Sequence, residues 1–125
     1  MARRNTLQQQ AIRTAIESAG RPLSVQEIHD LASEDAPGLG LRTVYRVVNR
    51  LLDDGIIAPV IVPGQQDRYE LARIAAKHHH HFRCERCDRV FDVHACPSGL
   101  QKLVPDGFVM TDHTIVLHGR CAECI

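Results

Sequence analysis

The sequence predicts an α+β chain: an N-terminal winged helix-turn-helix, then a small C-terminal αβ lobe with a four-cysteine zinc site. Three observations predict it. Three amphipathic helical stretches are followed by a pair of β-rich segments. Two Cys-x-x-Cys knuckles lie far apart in the second half. Seven of the 8 His and all 5 Cys fall after residue 77. The expected organisation is a winged-helix domain over 1–72, a hinge over 73–77 and a metal-binding lobe over 78–125.

At 125 residues the chain has room for one ordinary domain or two small lobes. Lobes of that size are marginal on an apolar core alone and lean on a metal or a partner chain. With no Trp, 2 Tyr and 3 Phe, the core must be aliphatic. The formal net charge of +0 gives no general basic field, so any nucleic-acid contact has to come from a local cluster. No apolar run reaches the roughly 18–20 residues of a membrane span, and the first ten residues lack a signal-peptide core. The expectation is a cytoplasmic protein, where cysteines serve as metal ligands more often than as disulfides.

Asn5–Thr6 is a candidate cap for a first helix reaching Ser18, with Leu7, Ala11, Ile12, Ala15 and Ile16 at helical spacing. Gly20-Arg21-Pro22 ends it. Ser24 with Glu27 three residues later reads as a capping box. The helix that follows points Val25, Ile28, Leu31 and Ala32 to the core. A third helix over 41–53 carries an apolar stripe of Leu41, Val44, Val47, Val48, Leu51 and Leu52. Beyond Gly55, residues 56–62 and 67–71 read as strands joined by a turn at Pro63-Gly64-Gln65-Gln66. Later, 97–104 suits a short helix and 108–118 alternates like a strand.

On the third helix Arg42, Tyr45, Arg46 and Asn49 share the face opposite the apolar stripe, with Thr43 beside them and Arg50 at the edge. Arg pairs with guanine or phosphate, Asn with adenine, and Tyr packs on a thymine methyl. Such a helix suits a major groove. Solvated arginine-bearing faces are also common, so this face alone does not decide. Arg3, Arg4, Arg13, Gln65, Gln66 and Arg68 are further candidates for phosphate contact.

Cys84-x-x-Cys87 and Cys121-x-x-Cys124 together supply four thiolates, a closed tetrahedral zinc set that would pin the chain's end to its lobe. Just before them stands His78-His79-His80-His81. In an extended run, His79 and His81 face one way and His78 and His80 the other, so one segment can serve two metal sites. Glu70 and Asp92 are candidate oxygen ligands, while His113, and less directly His118, suit the second face. Such mixed ligation is compatible with zinc, ferrous iron, manganese or nickel. Cys96, the odd cysteine, is read either as a plain thiol or as a thiolate ligand favouring zinc.

These residues together resemble the Fur, or ferric uptake regulator, family of metal-responsive transcriptional regulators. The stretch Thr43-Val44-Tyr45-Arg46-Val47-Val48-Asn49 is similar to the family's recognition helix, T-V-Y-R-V-L-N. Residues 78–87 resemble its H-H-D-H-x-x-C-x-x-C, and His113 through Cys124 its closing strand and second knuckle. The resemblance implies a homodimer that binds a palindromic DNA operator. It also implies a structural Zn2+ and a second, regulatory divalent metal, Zn2+ or Fe2+, at Glu70, His79, His81 and Asp92. No small-molecule substrate, membrane or catalysis is implied. His78, His80, His113 and Cys96 are a possible further site, although the family's usual carboxylate partner is not placed, the segment after Asp92 being short.

Other departures are Arg21-Pro22 where many relatives carry a histidine, His80 where Asp is usual, and two extra residues after Glu70, which make Asp67 its competitor. The extra leading helix of many relatives is also missing. Within the family a peroxide sensor is the alternative. Outside it stand a metal-dependent nuclease, which would cleave DNA, and an iron–thiolate redox module, which would be coloured.

Overall fold

The computed structural model describes residues 2–125, with the side chains of residues 2–5, including Arg3 and Arg4, outside the description. The chain divides into two compact units, 1–77 and 78–125.

In the first unit α1 (Ala2–Ser18), α2 (Val25–Ala32) and α3 (Leu41–Asp53) precede the antiparallel hairpin of β1 (Ile57–Val60) and β2 (Arg68–Leu71). The first helix starts ahead of Asn5–Thr6, which therefore do not cap it. The second starts where the capping box places it. Ser24 Oγ accepts from the Glu27 amide at 3.2 Å, and Glu27 Oε1 accepts from the Ser24 amide at 3.1 Å. Gly20, at φ 68°, makes the left-handed turn that closes α1.

Ile12, Ile16, Leu23, Ile28, Val44, Val48 and Leu51 meet in one aliphatic core. Three leucines expected there do not join it: Leu7 is 62% exposed, Leu31 38% and Leu41 40%. Leu31 and Leu41 lie at the ends of their helices, and Leu7 in the second turn of α1. Leu23 forms an isolated antiparallel bridge with Tyr69, with amide–carbonyl bonds of 2.9 and 2.8 Å. That bridge ties the α1–α2 turn to the wing. Arg68, expected on the wing for phosphate contact, is instead fully buried, with Nε 4.0 Å from Glu27 Oε1. Burial removes it from any DNA-facing role. Residues 72–75, placed at the domain end and in the hinge, form one helical turn, α4 (Ala72–Ala75).

The second unit is a three-stranded sheet of β3 (His80–Cys84), β4 (Val90–Val93) and β5 (Val116–Gly119), in the order β4-β3-β5. β3 runs antiparallel to β4 and parallel to β5. The strand expected over 108–118 is shorter, since only residues 116–119 pair, and the helix expected over 97–104 is a 3₁₀ turn at Leu100–Leu103. Cys84 and Val90 are this unit's buried hydrophobic residues and His80 its buried polar one, among the described residues. So small an apolar core does not hold 48 residues by itself. No helix among the described residues is long and apolar enough to cross a membrane.

Candidate metal centres and nucleic-acid interface

Helix α3 is positioned from behind by Val44, Val47, Val48 and Leu51, all buried. Its entry is held by His29 of α2, whose Nε2 donates to the Leu39 carbonyl at 2.8 Å, next to the N-cap Gly40. With the back so anchored, Arg42, Tyr45, Arg46, Asn49 and Arg50 are exposed and Thr43 is half-buried. Gln8 and Gln9 of α1 line the same groove as Thr43, Arg46 and Arg50. Periodicity alone did not single them out, because glutamine on a solvated helix face carries no distinguishing signal.

The four knuckle thiols converge within 4.8 Å of one another. Cys87 Sγ and Cys121 Sγ are 3.8 Å apart. Four sulfurs about 2.3 Å from a zinc would be separated by about 3.8 Å, so the pocket has the dimension of that ion. The two knuckles meet because β3 and β5 pair with Cys84 opposite Gly119, leaving Cys121 to turn back over the end of β3. A Cβ at Gly119 would stand 3.1 Å from Phe82 Cζ, a tight contact that the ring would have to relieve by shifting. Asp88, at φ 62°, closes the first knuckle, and its side chain accepts from Arg83 Nε at 2.9 Å.

The amides of Cys87 and Cys121 both donate to Cys84 Sγ at 3.4 Å. The Cys87 amide above all, then that of Cys121, lowers the Cys84 pKa to about 6. Cys124 is pushed up to about 12, first by the neighbouring Cys121 thiol and then by desolvation. Cys87 is raised as well, chiefly by desolvation. Without a cation, then, the cluster concentrates negative charge on one sulfur and keeps others protonated. A divalent ion removes that conflict.

The histidine run divides by strand parity. His81 and Asp92 are direct partners across the β3–β4 ladder, so their side chains leave the same face. His81 Nε2 lies 3.4 Å from Asp92 Oδ1, and His79, two residues back on that face, puts its Nε2 at 3.3 Å. His81 Nε2 is buried without a hydrogen-bond partner among the described residues, an environment a cation would complete. Glu70, on β2 of the other unit, is 4% exposed.

On the opposite face His78, His80 and His113 come together with Cys96. Cys96 Sγ is 3.4 Å from His78 Nε2, 3.4 Å from His80 Nε2 and 3.1 Å from His113 Nε2. The sequence left Cys96 open between a plain thiol and a thiolate ligand; the fold brings its sulfur to all three imidazoles. Burial, followed by the charges of His78 and His113, keeps His80 below its ordinary pKa, favouring the neutral imidazole that binds metals. His118 belongs to none of the three clusters among the described residues.

The model of the ferric uptake regulator family matches residues 1–118. The ferric uptake regulation protein of Bacillus subtilis is 28% identical over 117 residues, covering 90% of this chain and 78% of the relative. The zinc uptake regulation protein of Mycobacterium tuberculosis is 30% identical over 124 residues, covering 97% and 94%. Among solved structures, a zinc-bound manganese uptake regulator superposes with a TM-score of 0.78 at 26% identity, covering 91% of this chain and 87% of the other.

Proposed function

This chain belongs to the ferric uptake regulator family of metal-responsive transcriptional regulators, and we propose that it acts in the cytoplasm as a dimeric repressor. It binds a palindromic DNA operator when its regulatory metal is bound. Arg42, Thr43, Tyr45, Arg46, Asn49 and Arg50 of each α3 meet the DNA, two such helices entering successive major grooves about one helical turn apart. Cys84, Cys87, Cys121 and Cys124 hold a structural zinc, which ties β3 to the chain's end and supports a unit with almost no apolar core.

His79, His81 and Asp92 take the regulatory ion. Glu70 is assigned to it as well, a buried carboxylate that stands nine residues before His79 in the chain. In this reading ion occupancy and operator affinity are coupled. Couplings of this kind are typically about 1–3 kcal/mol, or roughly 5–150-fold in affinity. The bound ion supplies positive charge and fixed ligand geometry, and no bond is made or broken.

The observation that carries this reading is the division of four consecutive histidines onto two ligand clusters, in a chain whose other unit exposes an arginine-bearing helix. Zinc is the proposed regulatory ion, with ferrous iron as the competitor, and a relative of 30% identity is a zinc uptake regulator. The test is metal content per chain after mild chelation and stepwise refilling with zinc or ferrous iron, with binding to operator-length duplexes followed at each step. One retained zinc plus a further ion that switches DNA binding is expected. Binding indifferent to every ion beyond the first would overturn the proposal.

A further inference from the structure

We infer that Cys96 is the specificity-determining ligand of the His78–His80–His113 cluster, making it a three-nitrogen, one-thiolate site that takes zinc in preference to manganese or ferrous iron. The four ligand atoms come from three separate segments: the start of β3, the loop after β4, and the loop before β5. Cys96 Sγ stands 3.1–3.4 Å from three imidazole Nε2 atoms, and His78 Nε2 is 3.1 Å from His113 Nε2. A thiol has one proton and can satisfy only one of those nitrogens. His80 Nδ1 accepts from the Ile115 amide at 3.3 Å, and the three Nε2 atoms and the sulfur crowd together as a cation at their centre would hold them. A tetrahedral zinc with ordinary bond lengths needs N–N edges of about 3.3 Å and N–S edges of about 3.6 Å, close to the spacings here.

The ligand chemistry separates this cluster from its neighbour. On the other face of the same strand, His79, His81 and Asp92 offer nitrogen and oxygen only, a set that zinc, iron and manganese all accept. A thiolate is soft, and it disfavours the harder ions. The two faces of one histidine run therefore differ in metal preference, and the difference rests on Cys96. The site also opens to solvent on the cysteine side: Cys96 and His78 are exposed, whereas His80 is buried.

The inference rests on the metal-sensor reading only for what filling this cluster does to DNA binding; its test needs no DNA. Full-length protein that retains its four-cysteine zinc is titrated with Co2+ as a spectroscopic probe. Because the knuckle thiolates stay on zinc, any thiolate-to-cobalt charge-transfer band comes from Cys96. The wild type is expected to show that band, and Cys96→Ser to lose it. Loss of an outer partner costs a metal site roughly 10–100-fold in affinity, so removing a direct ligand should weaken zinc at this cluster by more than about 100-fold. Cys96→Asp should keep an ion there but bind Mn2+ more tightly than the wild type does.

As a readout that needs no variant, zinc should protect Cys96 of the wild type from iodoacetamide, followed by mass spectrometry of the Cys96 peptide. A band that persists in Cys96→Ser, or alkylation of Cys96 at the same rate with and without zinc, would overturn the inference. DNA binding indifferent to metal in a protein that shows the band would instead count against the sensor reading alone.

Discussion

Zinc capture by the four-cysteine cluster should be steeply pH-dependent, and the metal-free thiols set the slope. Cys84 is lowered to about 6, so at pH 7.5 its thiolate outnumbers its thiol by roughly thirty to one. Cys124, pushed up to about 12, is a thiol at that pH, and Cys87 is raised as well. All four sulfurs must be thiolates to ligate zinc, so binding expels at least the protons of Cys87 and Cys124. The direction follows. A group deprotonated only on binding makes the apparent affinity rise with pH up to its metal-free pKa. Two or more such protons give a slope of at least two, or at least about 100-fold per pH unit between roughly pH 7 and 8.5. Below pH 6 the Cys84 proton adds to the count and the slope steepens. These values belong to the cluster as a coupled set, so the total proton count is the observable. The assay is competition with a chelator strong enough to leave only the knuckle site filled, repeated across pH. Calorimetry in buffers of different ionisation enthalpy gives the protons released directly. A slope of one or less near pH 7.5 would refute the account, because it would mean that three thiolates already coexist without the ion.

Arg46→Ala should abolish operator binding in a gel-shift or anisotropy assay while leaving zinc content unchanged; normal binding would remove α3 from its assigned role. Asp92→Asn takes the charge from between His79 and His81, and should weaken the ion on that face at least about 10-fold. The knuckle zinc should remain at one per chain, as metal analysis would show. Ser24→Ala removes the Oγ that accepts from the Glu27 amide, while the bond from the residue-24 amide to Glu27 Oε1 remains, and should cost about 1 kcal/mol. That amounts to a drop of about 4–8 °C in the melting of the first unit, and an unchanged Tm would mean that the cap adds nothing to stability.

Much of this chain is local and therefore readable in advance. Ser24 and Glu27 are a cap whatever surrounds them, because the partners lie three residues apart. The stripe of Val44, Val47, Val48 and Leu51 marks a buried back, and so an exposed front bearing Arg42, Tyr45, Arg46, Asn49 and Arg50. The two knuckles name their chemistry by spacing, and the alternation of His78 to His81 follows from the period of a strand. Periodicity sets which side of a helix is apolar but not how far its neighbour extends. Leu7, Leu31 and Leu41 accordingly fit the pattern and yet remain exposed.

What the tertiary structure alone decided are the contacts between distant segments. Strand register placed Asp92 opposite His81. The Leu23–Tyr69 bridge and the position of Glu27 drew Arg68 inside, against the expectation for a basic residue on a wing. The return of the chain before β5 carried His113 to His78, and the loop after β4 carried Cys96 to both. No spacing rule links residues 78, 96 and 113. Their meeting depends on how three strands pair, and pairing is settled by the whole sheet at once.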